Sequence, residues 1–507
     1  MSDATGSLPR WPDVFASALV GTARTGERAE VLLDAAAAHA ARRRAGRALV
    51  TGVRPPGPAE LDGVPEVGAE AAARVDTLLA LDSASQEALP VRDMASRLEL
   101  LTAWLDRAAA AGRRLPAELV PALLDFGRRH PELRHLIAEV AGPLAGWLAA
   151  QRADWSYEAP AGPTESTVDD AEAWELGSIQ RRAAHLTALR RRDPVAARTL
   201  LEAGWEAEPP EDRPVLLRAL SEGLSLADEP VLEKALDDRR RQVRDVAVDL
   251  LAGLPGSAYG QRMAQRALAC VDLSGSGPIT VQPPSDCDRS MRRDGIVARP
   301  PAGTGERAWW LEEVLARTPL EVWPEPEVFA ARGVTEGWIG TLRRGLARAA
   351  AAQHHRGWTA ALVDQVTAAV LTAGRPADRE LLGALHEVLT DEELTARAVA
   401  LLRQGFGGAN AVGVDQVLAL CPAPWEPGLA DAFLGMLEEH LAHHGADWRV
   451  IALCDLAGLR LPADRAARAA ALVERLRAAR PNDPGLRAIA RFAETLRFRR
   501  DMLEELA

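Results

Sequence analysis

Three histidines near the carboxyl end of this 507-residue chain, His440, His443 and His444, stand at i, i+3 and i+4, with Asp447 just beyond. On a helix that spacing puts His440 and His444 on one face, an arrangement that suits a metal ion. No glutamate completes an HExxH pattern, and histidines in a last helical turn also suit the negative end of the helix dipole. A second cluster lies in PITVQPPSDCDRSMRRDGI (278–296), where Asp286, Asp288 and Asp294 alternate with Arg292 and Arg293. These groups could form a hydrogen-bonded site, or serve as turn formers and solvated charges.

Other chemistries are excluded or weak. Lys234 is the sole lysine, so a Walker A loop is impossible and a Schiff base has no other candidate; beside Glu233 it reads as a surface residue. Gly303-Thr304-Gly305-Glu306-Arg307 is glycine-rich but has neither a lysine nor a long preceding strand. Cys270, Cys287, Cys421 and Cys454 show no CxxC spacing, and no GxSxG elbow occurs. No catalytic residue, cofactor or metal is therefore assigned.

Tryptophans outnumber tyrosines 13 to 2 and gather at Trp309, Trp310, Trp323, Trp338 and Trp358. Tryptophan buries a large area, so the cluster reads as a core at the junction of two helical arrays, or as a groove for a partner.

The elements that must hold these residues are helical. Val243, Val246, Ala247, Leu250, Leu251 and Leu254 form one 3.6-period face, and Leu254-Pro255-Gly256 stops that helix. Upstream, Pro194, Pro214 and Pro230 each stand just inside a helix start behind an aspartate, giving an imperfect two-helix repeat similar to the HEAT pattern. The segment Val271 to Arg307 is mostly irregular, with Ile279–Val281 and Ile296–Ala298 as two short strands that pair. Trp11, Phe15, Ala18 and Leu19 share a face, which predicts a packed first helix. The arginine runs Arg42–Arg44 and Arg190–Arg192 read as solvated helix faces.

The fold class is therefore all-α, a HEAT-like α-solenoid or irregular helical array. Its parts are a helical region at 1–150, an acidic linker at 151–172, repeats at 173–270, an irregular loop or hairpin at 271–307 and a helical region at 308–507. A net charge of −12 argues against nucleic acid and anionic lipid as partners. No run of about eighteen apolar residues and no basic-then-apolar amino terminus appear, which predicts a cytoplasmic protein.

Five stretches occur together: Trp11 to Arg24 (W-x(7)-LVGTAR), RRDPVAARTLLEAGWEAEPPEDR, Asp228 to Leu254, PITVQPPSDCDRSMRRDGI and GERAWWLEEVLARTPLEVW. In this combination and order the chain resembles a bacterial family known only as domain of unknown function 5691. The resemblance implies a setting, since such proteins tend to be encoded beside MoxR-type AAA ATPases, von Willebrand factor A proteins and SWIM zinc-finger proteins. The expected role is a non-enzymatic scaffold or adaptor for such an ATPase, with Trp309, Trp310, Trp323, Asp286, Asp288, Arg292 and Asp294 as its partner-binding patch. The alternative is an enzyme or metal-binding protein using the 286–294 loop or the His440/His444 helix.

Overall fold

The structure is a computed structural model, described for residues 11–25, 28–45, 57–59, 62–80, 89–91, 93–152, 154–155, 174–175, 177–275, 277–334, 337–373, 375–404 and 413–506. Most of the 151–172 linker and the side chains of Arg42–Arg44 lie outside these residues. The chain divides into two compact units at Glu60/Leu61.

The first unit holds the helices Trp11–Val20, Thr22–Thr25 and Ala29–Ala45. Gly21, at φ +90°, ends the first of them, as a residue without Cβ can in the left-handed region. The expected packed face is only partly realised. Val14 is buried, whereas Trp11, Phe15 and Leu19 are 48%, 56% and 73% exposed. Among the described residues of these helices, Val14 and Ala35 are the buried ones.

Among the described residues the second unit is mostly helical, from Ala69–Leu79 to Leu486–Glu505, and its one sheet is a two-stranded ribbon of two residues per strand. Helix starts follow their sequence signals. Asp193 accepts the amides of Val195 and Ala196 ahead of Pro194–Gly204, and Pro214 and Pro230 lie in opening turns where no amide hydrogen is needed. The six residues of the Val243–Leu254 stripe are all buried. Each of its valine and leucine side chains contributes about 1.5–3 kcal/mol when withdrawn from water. Val248, off that stripe, is buried as well because the 271–307 segment lies over it, with Gly295 against its methyl groups.

Apolar side chains gather in three clusters. One runs from Leu186 to Val417 and takes in the 179–270 helices, the 271–307 segment and the tryptophans; the second spans Leu371 to Leu496. In the third, the helices between Val67 and Trp155 pack on Leu459, Met502 and Leu506 from the carboxyl-terminal end. Arg460 Nε stands 3.0 Å from Glu99 Oε1, and the Arg74 guanidinium holds the Glu505 carboxylate through two bonds while covering the Phe498 ring at 4.6 Å. The two ends of this unit are thus joined.

Arginines recur at helix ends, where the last carbonyls lack intrahelical donors, and several of them are buried. Arg97 donates to Leu78 and Ala80, Arg480 to Ala442 and His443, and Arg499 to Gly458 and Leu461. Arg190 is the most complete case. It was expected on a solvated face, yet its side chain has no exposure. It lies four residues after buried Leu186 and so on the same inward face, where it donates to the carbonyls of Leu220, Glu222 and Gly223 and to both oxygens of Asp228. No helix among the described residues is long and apolar enough to cross a membrane.

Candidate functional site

The irregular segment is pinned rather than loose. Its ribbon pairs Val271–Asp272 with Thr280–Val281, so the expected pairing of Ile279–Val281 with Ile296–Ala298 is incorrect. Residues 296–298 instead meet tryptophans: Trp309 Nε1 donates to the Val297 carbonyl at 3.0 Å and Trp310 Nε1 to the Ala298 carbonyl at 2.9 Å. Two neighbouring indoles take the place a partner strand would have filled. Arg332 donates to the carbonyls of Leu273, Gly275 and Gly277, which fixes the ribbon's turn.

The expected site residues separate into two roles. Asp294 is 1% exposed, and its carboxylate is held by Arg262 and Arg266 from the Ala258–Cys270 helix. Its carbonyl accepts the Tyr259 hydroxyl at 2.9 Å. Burial pushes that phenol far above its ordinary pKa, so the hydroxyl stays a donor. Asp288 caps the Arg289–Arg293 helix through the Met291 amide and takes the Ser290 hydroxyl; these bonds hold its carboxyl below the usual range. Both carboxylates are thus spent on anchoring. Asp286 is exposed beside Ser285, and Arg292 is exposed with its Nε on the Asp288 carbonyl.

Trp310 and Trp323 are buried, and Trp323 meets Phe329 edge-on, as Phe329 meets Trp358. That is the core reading of the tryptophan cluster. Trp309 stays half-buried and borders a groove of about 630 Å³.

Four helices build that groove: Arg241–Ala252, Glu306–Leu315, Ile339–Ala352 and Pro376–His386. Under it lies a charged network that joins the run WWLEEVLAR to the Ile339–Ala352 helix. Glu312 pairs with Arg344 at 3.0 Å, and Glu313 pairs with Arg348 at 2.7 Å and Arg317 at 2.9 Å. Neither glutamate was singled out from the sequence. The available signal was their position between Leu311 and Val314, where an apolar run leaves charges no route to water. Asp249 opens on the groove, yet the surrounding walls withdraw enough water to raise its carboxyl, against the pull of Arg317, Arg218 and Arg348. With Glu380 and Glu387 on the far wall, the lining is net acidic.

A second pocket, of about 650 Å³, lies between the turn at 236–240 with the start of the Arg241–Ala252 helix and the Arg289–Arg293 helix, and Arg244, Arg289, Arg292 and Arg293 line it.

The histidines lie elsewhere. The His440 and His444 rings are 5.0 Å apart, and His440 Nε2 is 3.5 Å from Asp447 Oδ2. Asp447 caps the Trp448–Arg460 helix through the amides of Arg449 and Val450, and burial holds the His440 imidazole below its ordinary pKa. Cys454 is fully buried. Among the described residues no group of three or more His, Cys, Asp or Glu side chains is arranged to hold a metal ion.

A helical body with an open, charge-lined groove and a pinned irregular segment defines an all-α protein. The chain belongs to a family of unknown function, DUF5691, whose model matches residues 8–506. No curated protein and no solved structure matches it.

Proposed function

We propose that this chain is a cytoplasmic, HEAT-like scaffold that binds other proteins and performs no chemistry itself. The observation that carries this reading is the Trp309 groove, in which side chains from four separate helices converge on one acidic, open surface with an aromatic edge. Stacked helices offer such composite grooves, and an aromatic residue at the margin supplies contact area at low entropic cost. The family setting points to a MoxR-type AAA ATPase and a von Willebrand factor A protein as partners, in which case any ATP hydrolysis belongs to the partner.

The test is affinity purification of the tagged full chain from its native cell. Such an ATPase or von Willebrand factor A protein is expected above background, and its capture falls in a Trp309→Ala/Asp249→Arg variant. Capture of neither partner by the wild-type chain overturns the reading.

A further inference from the structure

We propose that the pocket between the 236–244 segment and the Arg289–Arg293 helix is an oxyanion site, recognising a carboxylate or phosphate group. The lining carries four arginines, Arg244, Arg289, Arg292 and Arg293, against two acids, Asp237 and Asp238. Both acids are already engaged. Asp237 is held by two bonds from Arg293, at 2.9 and 2.8 Å, and Asp238 by Arg213 at 2.8 Å and by the Arg240 amide.

What remains is positive charge without a counterion. Among the described residues, neither Arg289 nor Arg292 forms an ion pair, and Arg244 donates only to the carbonyls of Asp238 and Arg239. In a chain of net charge −12 an uncompensated arginine pocket runs against the overall field.

The pocket is also held in shape. Arg293 ties the short helix to the repeat turn through Asp237 and Glu233, and Asp288 turns its carboxylate to that helix's own Met291 amide. The free guanidinium edges of Arg289 and Arg292 therefore stand on a fixed support beside Arg244. Forked donors of this kind match the paired oxygens of a carboxylate or phosphate.

The experiment titrates the full chain with fluorescein-labelled hexaglutamate at low salt, using inorganic phosphate and unlabelled hexaglutamate as competitors. The wild type is expected to bind the label. The Arg289→Ala/Arg292→Ala variant should bind at least tenfold more weakly, and Arg343→Ala, an exposed arginine elsewhere, unchanged. Both substituted side chains are exposed, so the melting temperature should stay native and separate lost binding from lost fold. Displacement by phosphate assigns the site to phosphate groups; displacement by hexaglutamate alone assigns it to acidic protein segments. Absence of binding, or binding undiminished in the double variant, overturns the proposal. Direct titration is independent of partner capture, so this site and the Trp309 groove fail separately.

Discussion

Arg190 and Asp228, neither with any side-chain exposure, are joined by two bonds of 2.9 Å, with Arg198 adding a third to the same carboxylate at 3.0 Å. The remaining guanidinium hydrogens go to carbonyls, and Asp228 also accepts the Ser225 amide. A buried pair is tolerable when every donor and acceptor is used in this way.

Asp228→Ala strands Arg190 inside the helical core and should cost about 3–5 kcal/mol, read by urea denaturation. Burial works to raise the Asp228 pKa, but the bonds from Arg190, Arg198 and the Ser225 amide outweigh it and hold the carboxyl below its ordinary value. A lowered folded pKa means that this contribution is present above the unfolded value near pH 4. It is lost as pH falls through the folded value, so the gap between wild type and Asp228→Ala should close in strong acid.

Gly295, at φ +84°, has no room for a side chain, since an added Cβ would clash with Val248 Cγ2. Gly295→Ala combines a strained backbone with overpacking and should destabilise the protein by about 2 kcal/mol or more. Thermal melting against Gly303→Ala, where φ is +82° but nothing crowds the position, separates the two causes.

His354 adopts φ +48° at the end of the Ile339–Ala352 helix, with the His354 and His355 amides donating to Ala351 and Ala350. Glycine is the usual occupant of that conformation, so His354→Gly should stabilise the fold by about 0.5–1 kcal/mol. His354 also lines the Trp309 groove, and partner capture by the same variant reports whether its ring is used there.

His386 is buried, and burial pushes its imidazole down to about 4. The unfolded chain binds this proton near pH 6.5 while the folded chain resists it, so stability is full above that value and falls as pH drops towards 4. By pH 4 the loss is about 3 kcal/mol. A His386→Leu variant should show a correspondingly flatter profile between pH 7 and 4 in calorimetry.

Met502 and Leu506 are buried against the 67–155 helices. Deleting residues 501–507 should uncover that core and raise amide exchange at 94–129 well above exchange at 241–270, as hydrogen-exchange mass spectrometry would show.

Local order was largely legible. The periodic stripe 243–254 and the helix starts at Pro194, Pro214 and Pro230 stand where spacing and caps put them, because those signals act within a few residues. The anchoring role of Asp294 and the buried paired glutamates were hidden, since Asp294 meets Arg262 and Arg266 from another helix and Glu312 meets Arg344 from a third.

The sequence by itself determined that this is a helical protein with one irregular segment, without a Walker loop, and with tryptophans concentrated after residue 308. Only the tertiary structure decided which arginines are buried clamps and which, like Arg289 and Arg292, remain exposed. It also decided that the helices from Val67 to Trp155 rest on the carboxyl-terminal ones. Periodicity fixes the face a residue occupies, whereas its charge partner is chosen by which distant segment packs opposite, and that choice is made only when the apolar faces come together.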